Sequence, residues 1–254
     1  MYKLPIGIID MNNDNISILD YLRKELKYEN LIYINDLKQY QYEGLTPEAI
    51  IDRVKRNIDI LISLECKLLV VISSTIIEYC QSYLKKLPIP VISIVDTIID
   101  FVNEKYEHKN MAFLASQNII EASLYQKRFK YNHLYNLPSD SLDDVIINKQ
   151  MKTSVSFNLT KEVFKSVQKK DIDIIIPTTA NMMLLKTEIN EYMPFINIVN
   201  IPEIICDEIK EVANDNLYHK RKGKTYIYIN VPKKESNFQH LLTSKYKIKY
   251  MRGE

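Results

Sequence analysis

The stretch Lys67–Cys80 reads KLLVVISSTIIEYC, and its reading decides the fold. Five apolar residues, Leu68 to Ile72, run into three hydroxyl residues, Ser73, Ser74 and Thr75, after which an apolar pattern resumes at helical spacing. A strand with one wet face alternates apolar and polar residues; this one does not, so it is expected to be buried on both faces, as in a parallel sheet covered by helices. The same grammar returns in Asp171–Leu185, DIDIIIPTTANMMLL: an apolar strand, small hydroxyl residues, then an apolar helix. Ser and Thr at such a junction have one plain use, capping the helix that follows. A second use comes from position, because open α/β folds bind ligands at the carboxyl ends of their strands.

Working outward, the alternation continues. LPIGIID (Leu4–Asp10) and LIYIN (Leu31–Asn35) read as strands, separated by a helix that places Ile18, Leu19, Leu22 and Leu26 on one face. Thr46-Pro47-Glu48 offers an N-cap, a proline at the first helical position and an acid near the positive helix end, opening a helix with a stripe of Ile50, Val54, Ile58 and Leu61. PVISIV, NMAFLA, IDIIIP, INIVN and TYIYINV follow as further strands with helical patterns between them. The expected fold class is α/β, as two similar parallel-sheet domains related by pseudo-symmetry with a cleft between them.

Composition excludes several classes. The 254 residues are 46% hydrophobic and 26% charged, which suits a globular chain with a full core. No apolar run approaches the roughly 20 residues that span a bilayer, and the N-terminus reads as a strand rather than a signal peptide, so the expectation is a cytoplasmic protein with no membrane contact. Cys66, Cys80 and Cys206 have no metal-type spacing and are expected to be reduced and buried. With four glycines, and neither G-x-G-x-x-G nor G-x-x-x-x-G-K-[ST], nucleotide binding by those routes is not expected, and no cofactor or metal is implied. The net charge of +2 conceals an asymmetry: residues 218–254 carry +8 and residues 1–217 carry −6. The plain reading of the basic stretch is a solvated turn and a solvated helix end; the alternative is a face that attracts nucleic acid or an anionic protein partner.

The order of these segments resembles glutamate racemase, and more broadly the aspartate/glutamate racemase superfamily, over nearly the whole chain. IGIID at Ile6–Asp10 resembles the family's first strand with its acidic residue, and the segment from Glu29 to Ile50 its strand-loop-helix with a substrate-loop tyrosine at Tyr42. LLVVISSTI resembles the strand bearing the first catalytic cysteine, and IDIIIPTTANMMLL the strand bearing the second. The resemblance implies domains at residues 1–96 plus 206–254 and 97–205, and a homodimer. It also shows departures. In that family two cysteines on opposite sides of a substrate α-carbon exchange a proton. Here the matching positions are Ser73 and Thr178, and the histidine after the second cysteine is matched by Ala180. Of the family's glycine-rich first loop only Asp10 remains, with Asn12 within the altered loop, and the Gly-Thr pair of the second half is matched by Asn118-Ile119.

A hydroxyl is a much weaker acid than a thiol and needs a dedicated base to act. The first reading is therefore a binding or regulatory pseudoenzyme of the isomerase superfamily, catalytically inactive as a racemase, that takes a small amino-acid-like ligand. Asn12, Tyr42, Ser74, Thr75, Asn118, Thr179 and Asn200 are its candidate binding residues. The second is an enzyme acting on a small amino acid or dicarboxylate through Asp10, Ser73 and Thr178. In that case Asp10 is a base partner for Ser73; otherwise it is an acid at a strand end near a helix N-terminus. The third is an interaction module working through the basic C-terminal face, since members of the family bind DNA gyrase.

Overall fold

The computed structural model describes residues 3–11, 13–36, 46–217, 220–231 and 238–251. Asn12 and Tyr42, both proposed from the sequence as ligand contacts, lie outside them. The chain divides into two compact units, Met1–Ile94 with Ile205–Glu254, and Val95–Ile204.

In the first unit, strands β1 (Ile6–Asp10), β2 (Leu31–Asn35), β3 (Leu68–Val71), β4 (Val91–Ser93), β9 (Thr225–Ile229) and β10 (Lys247–Tyr250) form one sheet in the order β10-β9-β2-β1-β3-β4. Every pairing in it is parallel. In β1, β2 and β3 every residue is buried, as their unbroken apolar sequences require. Helices α1 (Ile18–Glu25), α2 (Pro47–Ser63) and α3 (Ser74–Leu84) turn their apolar stripes inward: Ile18, Leu19 and Leu22 of α1 and Ile50, Val54, Ile58 and Leu61 of α2 are all buried. Each such side chain contributes about 1.5–3 kcal/mol relative to exposure. Thr46 caps α2, its hydroxyl accepting from the Ala49 N–H at 3.3 Å, with Pro47 at the first helical position.

The second unit holds β5 (Lys109–Ala115), β6 (Tyr131–Pro138), β7 (Ile174–Pro177) and β8 (Asn197–Ile198), again parallel throughout, in the order β6-β5-β7-β8. It also contains α5 (Gln117–Ala122), α6 (Asp140–Ile147), α7 (Ser154–Phe164) and α8 (Lys186–Tyr192). Helices α4 (Ile94–Lys105) and α9 (Ile201–Ala213) contain the two points at which the chain passes between units.

The basic C-terminal stretch departs from its expected form. Lys247–Tyr250 is not a helix end but the edge strand β10, paired only with β9. Lysine on an edge strand opposes pairing with another chain, because burying the charge against a neighbour is costly. Lys249 Nζ lies over two β9 rings, 4.3 Å from the centre of Tyr226 and 5.3 Å from that of Tyr228.

Candidate functional site

Parallel strands bring their carboxyl ends to one edge, so each unit gathers its sequence-predicted residues there. In the first unit β1 lies between β2 and β3, which sets Asp10 beside Asn35 on one side and places the residue before Ser73 against it on the other: the Ile72 N–H donates to the Ile9 carbonyl at 3.1 Å.

Asp10 is 1% exposed and is the centre of a polar cluster. Its carboxyl accepts from the Tyr33 hydroxyl at 2.6 Å, the Met11 N–H at 2.8 Å, the Asn15 N–H at 3.2 Å and the Asn15 Nδ2 at 3.5 Å. Burial, and then the nearby Asp14 carboxylate, push the Asp10 carboxyl up to about 8, against the hydrogen bonds from Tyr33, Met11 and Asn15 that favour the ionised form. Tyr33 is raised well above the ordinary phenol range by the same burial and by Asp10 beside it. Asn15 Nδ2 also donates to the Ile72 carbonyl at 2.7 Å, so Asn15 ties the Asp10 carboxyl to the start of the hydroxyl run. A further amide pair, Asn35 Nδ2 to Asn13 Oδ1 at 2.7 Å, borders the cluster, and the buried Oδ1 of Asn35 has no hydrogen-bond partner among the described residues.

Ser73 is nearly buried and is the N-cap of α3, with its hydroxyl accepting from the Ile76 N–H at 3.4 Å. Ser73 and Asp10 share no hydrogen bond; Asn15 stands between them. Ser74 and Thr75, the first residues of α3, are half-buried.

A second polar cluster flanks the first. Asp36 follows β2, is 1% exposed, and its N–H donates to the Asp10 carbonyl at 3.3 Å. Its carboxylate receives Arg53 Nε and Asn57 Nδ2 from α2, each at 2.7 Å, together with Arg53 Nη2 and Asn230 Nδ2. This bidentate pair anchors the backbone next to Asp10.

In the second unit, Thr178 is buried directly after β7, and its N–H donates to the Leu114 carbonyl at 3.1 Å. Thr179 begins a 3-10 turn over Ala180–Leu185 and makes no capping bond with its side chain; its buried Oγ1 has no hydrogen-bond partner among the described residues. Ala180 is fully buried. Asn118 lies exposed on α5 at the end of β5. Asn200, half-buried before α9, donates through Nδ2 to the Glu203 carboxylate at 2.9 Å.

The three thiols lie elsewhere. Cys66 precedes β3 at its amino end, Cys80 is within α3 and Cys206 within α9; all are free and buried. Burial pushes the Cys66 thiol up to about 12 and those of Cys80 and Cys206 up to about 11. At neutral pH they are protonated and poor nucleophiles. Among the described residues no cluster of His, Cys, Asp and Glu is arranged to hold a metal, and no helix is long and apolar enough to cross a membrane.

Asp10 and the hydroxyl residues stand at strand ends, where the sequence placed them, whereas Tyr33 and Asn15, which hold Asp10, and the Asp36–Arg53 pair were not singled out. Asn15 had a visible signal, as the last residue of a polar loop following an acid at a strand end. Tyr33 had only its phenol in an otherwise apolar strand.

No protein-family model matches the chain. In sequence it is 21% identical to the glutamate racemase of Hydrogenobaculum sp. (strain Y04AAS1) over 261 aligned positions, covering 99% of this chain and 98% of that protein. In structure it is similar to glutamate racemase from Thermus thermophilus in complex with β-chloro-D-alanine, with a TM-score of 0.85 at 15% identity, covering 98% and 97% of the two chains. It is also similar to glutamate racemase from Francisella tularensis in complex with D-glutamate, with a TM-score of 0.84 at 17% identity, covering 99% and 98%. The chain therefore has the aspartate/glutamate racemase fold, and glutamate racemases are its homologues in sequence.

Proposed function

We propose that this protein is a glutamate-racemase-like pseudoenzyme, a binding or regulatory protein that has kept the racemase scaffold and lost proton exchange through thiolates. The observation that carries the reading is the placement of its thiols. All three cysteines are buried away from the carboxyl ends of the strands, and their environments hold them protonated. At the positions that resemble the catalytic cysteines stand a serine, whose hydroxyl is engaged as a helix cap, and a buried threonine. Among the described residues neither is hydrogen-bonded to a base that could activate it. The ligand class that suits the reading is a small amino acid or dicarboxylate, since the similar Francisella protein was solved with D-glutamate. The reading also takes the protein as homodimeric, as the resemblance implies, and as cytoplasmic.

Calorimetric titration with D- and L-glutamate and D- and L-aspartate, followed by chiral chromatography of the same samples, tests it. Binding without interconversion supports the reading. Interconversion at enzymatic rates defeats it, and no binding of any of the four removes the amino-acid ligand.

One observation favours an enzymatic alternative. A carboxyl raised to about 8 has the proton affinity of a general base working near neutral pH, and Asp10 is such a group. On that reading Asp10 takes a proton from a substrate that Ser73 helps to hold at the same sheet end. Asp10→Asn would then abolish turnover, and Ser73→Ala would raise KM. If both variants leave every measured turnover unchanged, the alternative fails.

A further inference from the structure

At the other end of the first unit's sheet, where its strands begin, lies a cavity of about 400 Å³. Its walls come from three separate pieces of chain: α1 and the turn after it, the segment leading into β9, and the segment leading into β10. Four cations line it, Arg23, Lys24, Lys27 and Lys222, with Tyr28 and Ser244 beside them. Asp20 is the one acid in the lining. Its carboxylate is already engaged, accepting from the Thr243 N–H at 2.5 Å, the Tyr246 hydroxyl at 2.7 Å and the Ser244 N–H at 3.3 Å.

Of the cations, the Arg23 guanidinium is held by hydrogen bonds, while the lysine side chains are exposed. Arg23 Nη1 donates to the Glu29 carbonyl at 2.9 Å and to the Thr225 hydroxyl at 3.3 Å, and Nη2 donates to the Leu26 carbonyl at 2.8 Å. These bonds fix the guanidinium without neutralising it, and the buried Nε has no hydrogen-bond partner among the described residues. The nearby Glu29 carboxylate is paired with Lys67 at 2.7 Å instead. Lys222 is set by the neighbouring glycine: a Cβ at Gly223 would lie 1.8 Å from the Glu29 carbonyl oxygen, so only glycine allows this approach. The Gly223 N–H donates to the Lys27 carbonyl at 3.0 Å, which locks the Lys222 segment against the Lys27 turn. Like charges fixed in one concavity repel, and an anion relieves that repulsion.

We propose that this cavity is a binding site for a small phosphate-bearing polyanion, recognised by Arg23, Lys27 and Lys222. The charge balance selects the ligand class. The lining carries a net charge of +3, whereas a free amino acid is close to neutral and a monocarboxylate brings a single charge. A diphosphate brings about three negative charges and matches the guanidinium and ammonium donors. The volume is within the range of pockets that hold small-molecule ligands, and the Lys27 ammonium lies over the Tyr28 ring, 4.9 Å from its centre. The site is separate from the Asp10 cluster, which lies at the opposite end of the same strands.

The test is calorimetric titration of the full chain with pyrophosphate and with ATP, at low salt and again with added salt, beside the variant K27E/K222E. Both lysines are exposed and neither belongs to the Asp10 cluster, so the variant is expected to melt like the parent. The proposal expects pyrophosphate binding that weakens with salt and falls by about 10-fold or more in the variant. Tighter binding of ATP would mean that the nucleoside is recognised as well; equal binding would mean that phosphate alone is recognised. No binding at low salt overturns the proposal, as does equal affinity in the variant. Binding of duplex DNA where pyrophosphate does not bind would show a nucleic-acid surface instead.

Discussion

Arg53→Met should destabilise the first unit through the carboxylate it leaves behind. Asp36 is 1% exposed, and the Arg53 side chain that pairs with it is only 14% exposed, so water cannot replace the lost guanidinium. Removing one partner of a buried ion pair costs about 3–5 kcal/mol. Asn57 and Asn230 still donate to Asp36, and hydrogen bonds to a charged group are worth about 1.5–3 kcal/mol each, which keeps the loss near the lower end, at about 3 kcal/mol. The double variant D36N/R53M removes both charges. It should recover about 2 kcal/mol of that loss, because replacing a whole buried pair is much less costly than orphaning one member. Urea unfolding followed by circular dichroism on the parent, both single variants and the double variant measures the coupling. A loss below about 1 kcal/mol in Arg53→Met, or strictly additive effects around the cycle, would refute the view that this pair holds the end of β2 beside Asp10.

Three further outcomes follow from the same structure. Gly223→Ala puts a methyl group where the Glu29 backbone already is, so the junction of Lys27 with Gly223 must open; a loss of about 2–4 kcal/mol is expected in thermal or urea unfolding, and a neutral result would contradict the close approach. Asp10 holds its proton up to about 8 in the folded chain but releases it near 3.8 when unfolded. Between those values the folded state binds the extra proton, so stability should fall as pH rises from about 4 to 8 and then level off, and Asp10→Asn should flatten that part of the profile. The three thiols should resist a thiol reagent at neutral pH in the folded protein and react together once it is unfolded; fast labelling of any one in the native state would contradict its burial.

Much of the architecture was legible because the central strands are buried on both faces and leave unbroken apolar runs, as in Leu31–Asn35 and Leu68–Val71. The strands that escaped notice lie at the edges. β6 exposes most of its residues, so Tyr131–Pro138 shows no apolar run. In β10 the alternation Lys247-Ile248-Lys249-Tyr250 is a period-two signal, but its charge invites reading as a solvated helix end. Asp10, Ser73 and Thr178 were legible in the sequence as strand-end residues because each closes or follows a recognisable strand. Their partners were not, for a physical reason. Tyr33 reaches Asp10 from the neighbouring strand, and Arg53 reaches Asp36 from a helix 17 residues on, so each contact depends on the sheet having formed. The phosphate-site cations come from parts of the chain nearly 200 residues apart and share no motif.

The account's central claim is that this racemase scaffold no longer moves the α-proton of its ligand. The most direct measurement is hydrogen–deuterium exchange at Cα, followed by proton NMR with the purified protein in D2O and each enantiomer of glutamate and aspartate. Exchange registers every removal of the α-proton, even when the configuration is restored. The account predicts that all four Cα signals persist at the rate of the protein-free control. Loss of any one of them at an enzymatic rate, removed by Asp10→Asn or by Ser73→Ala, would contradict it and assign proton transfer to the hydroxyl and carboxyl groups at the ends of β1 and β3.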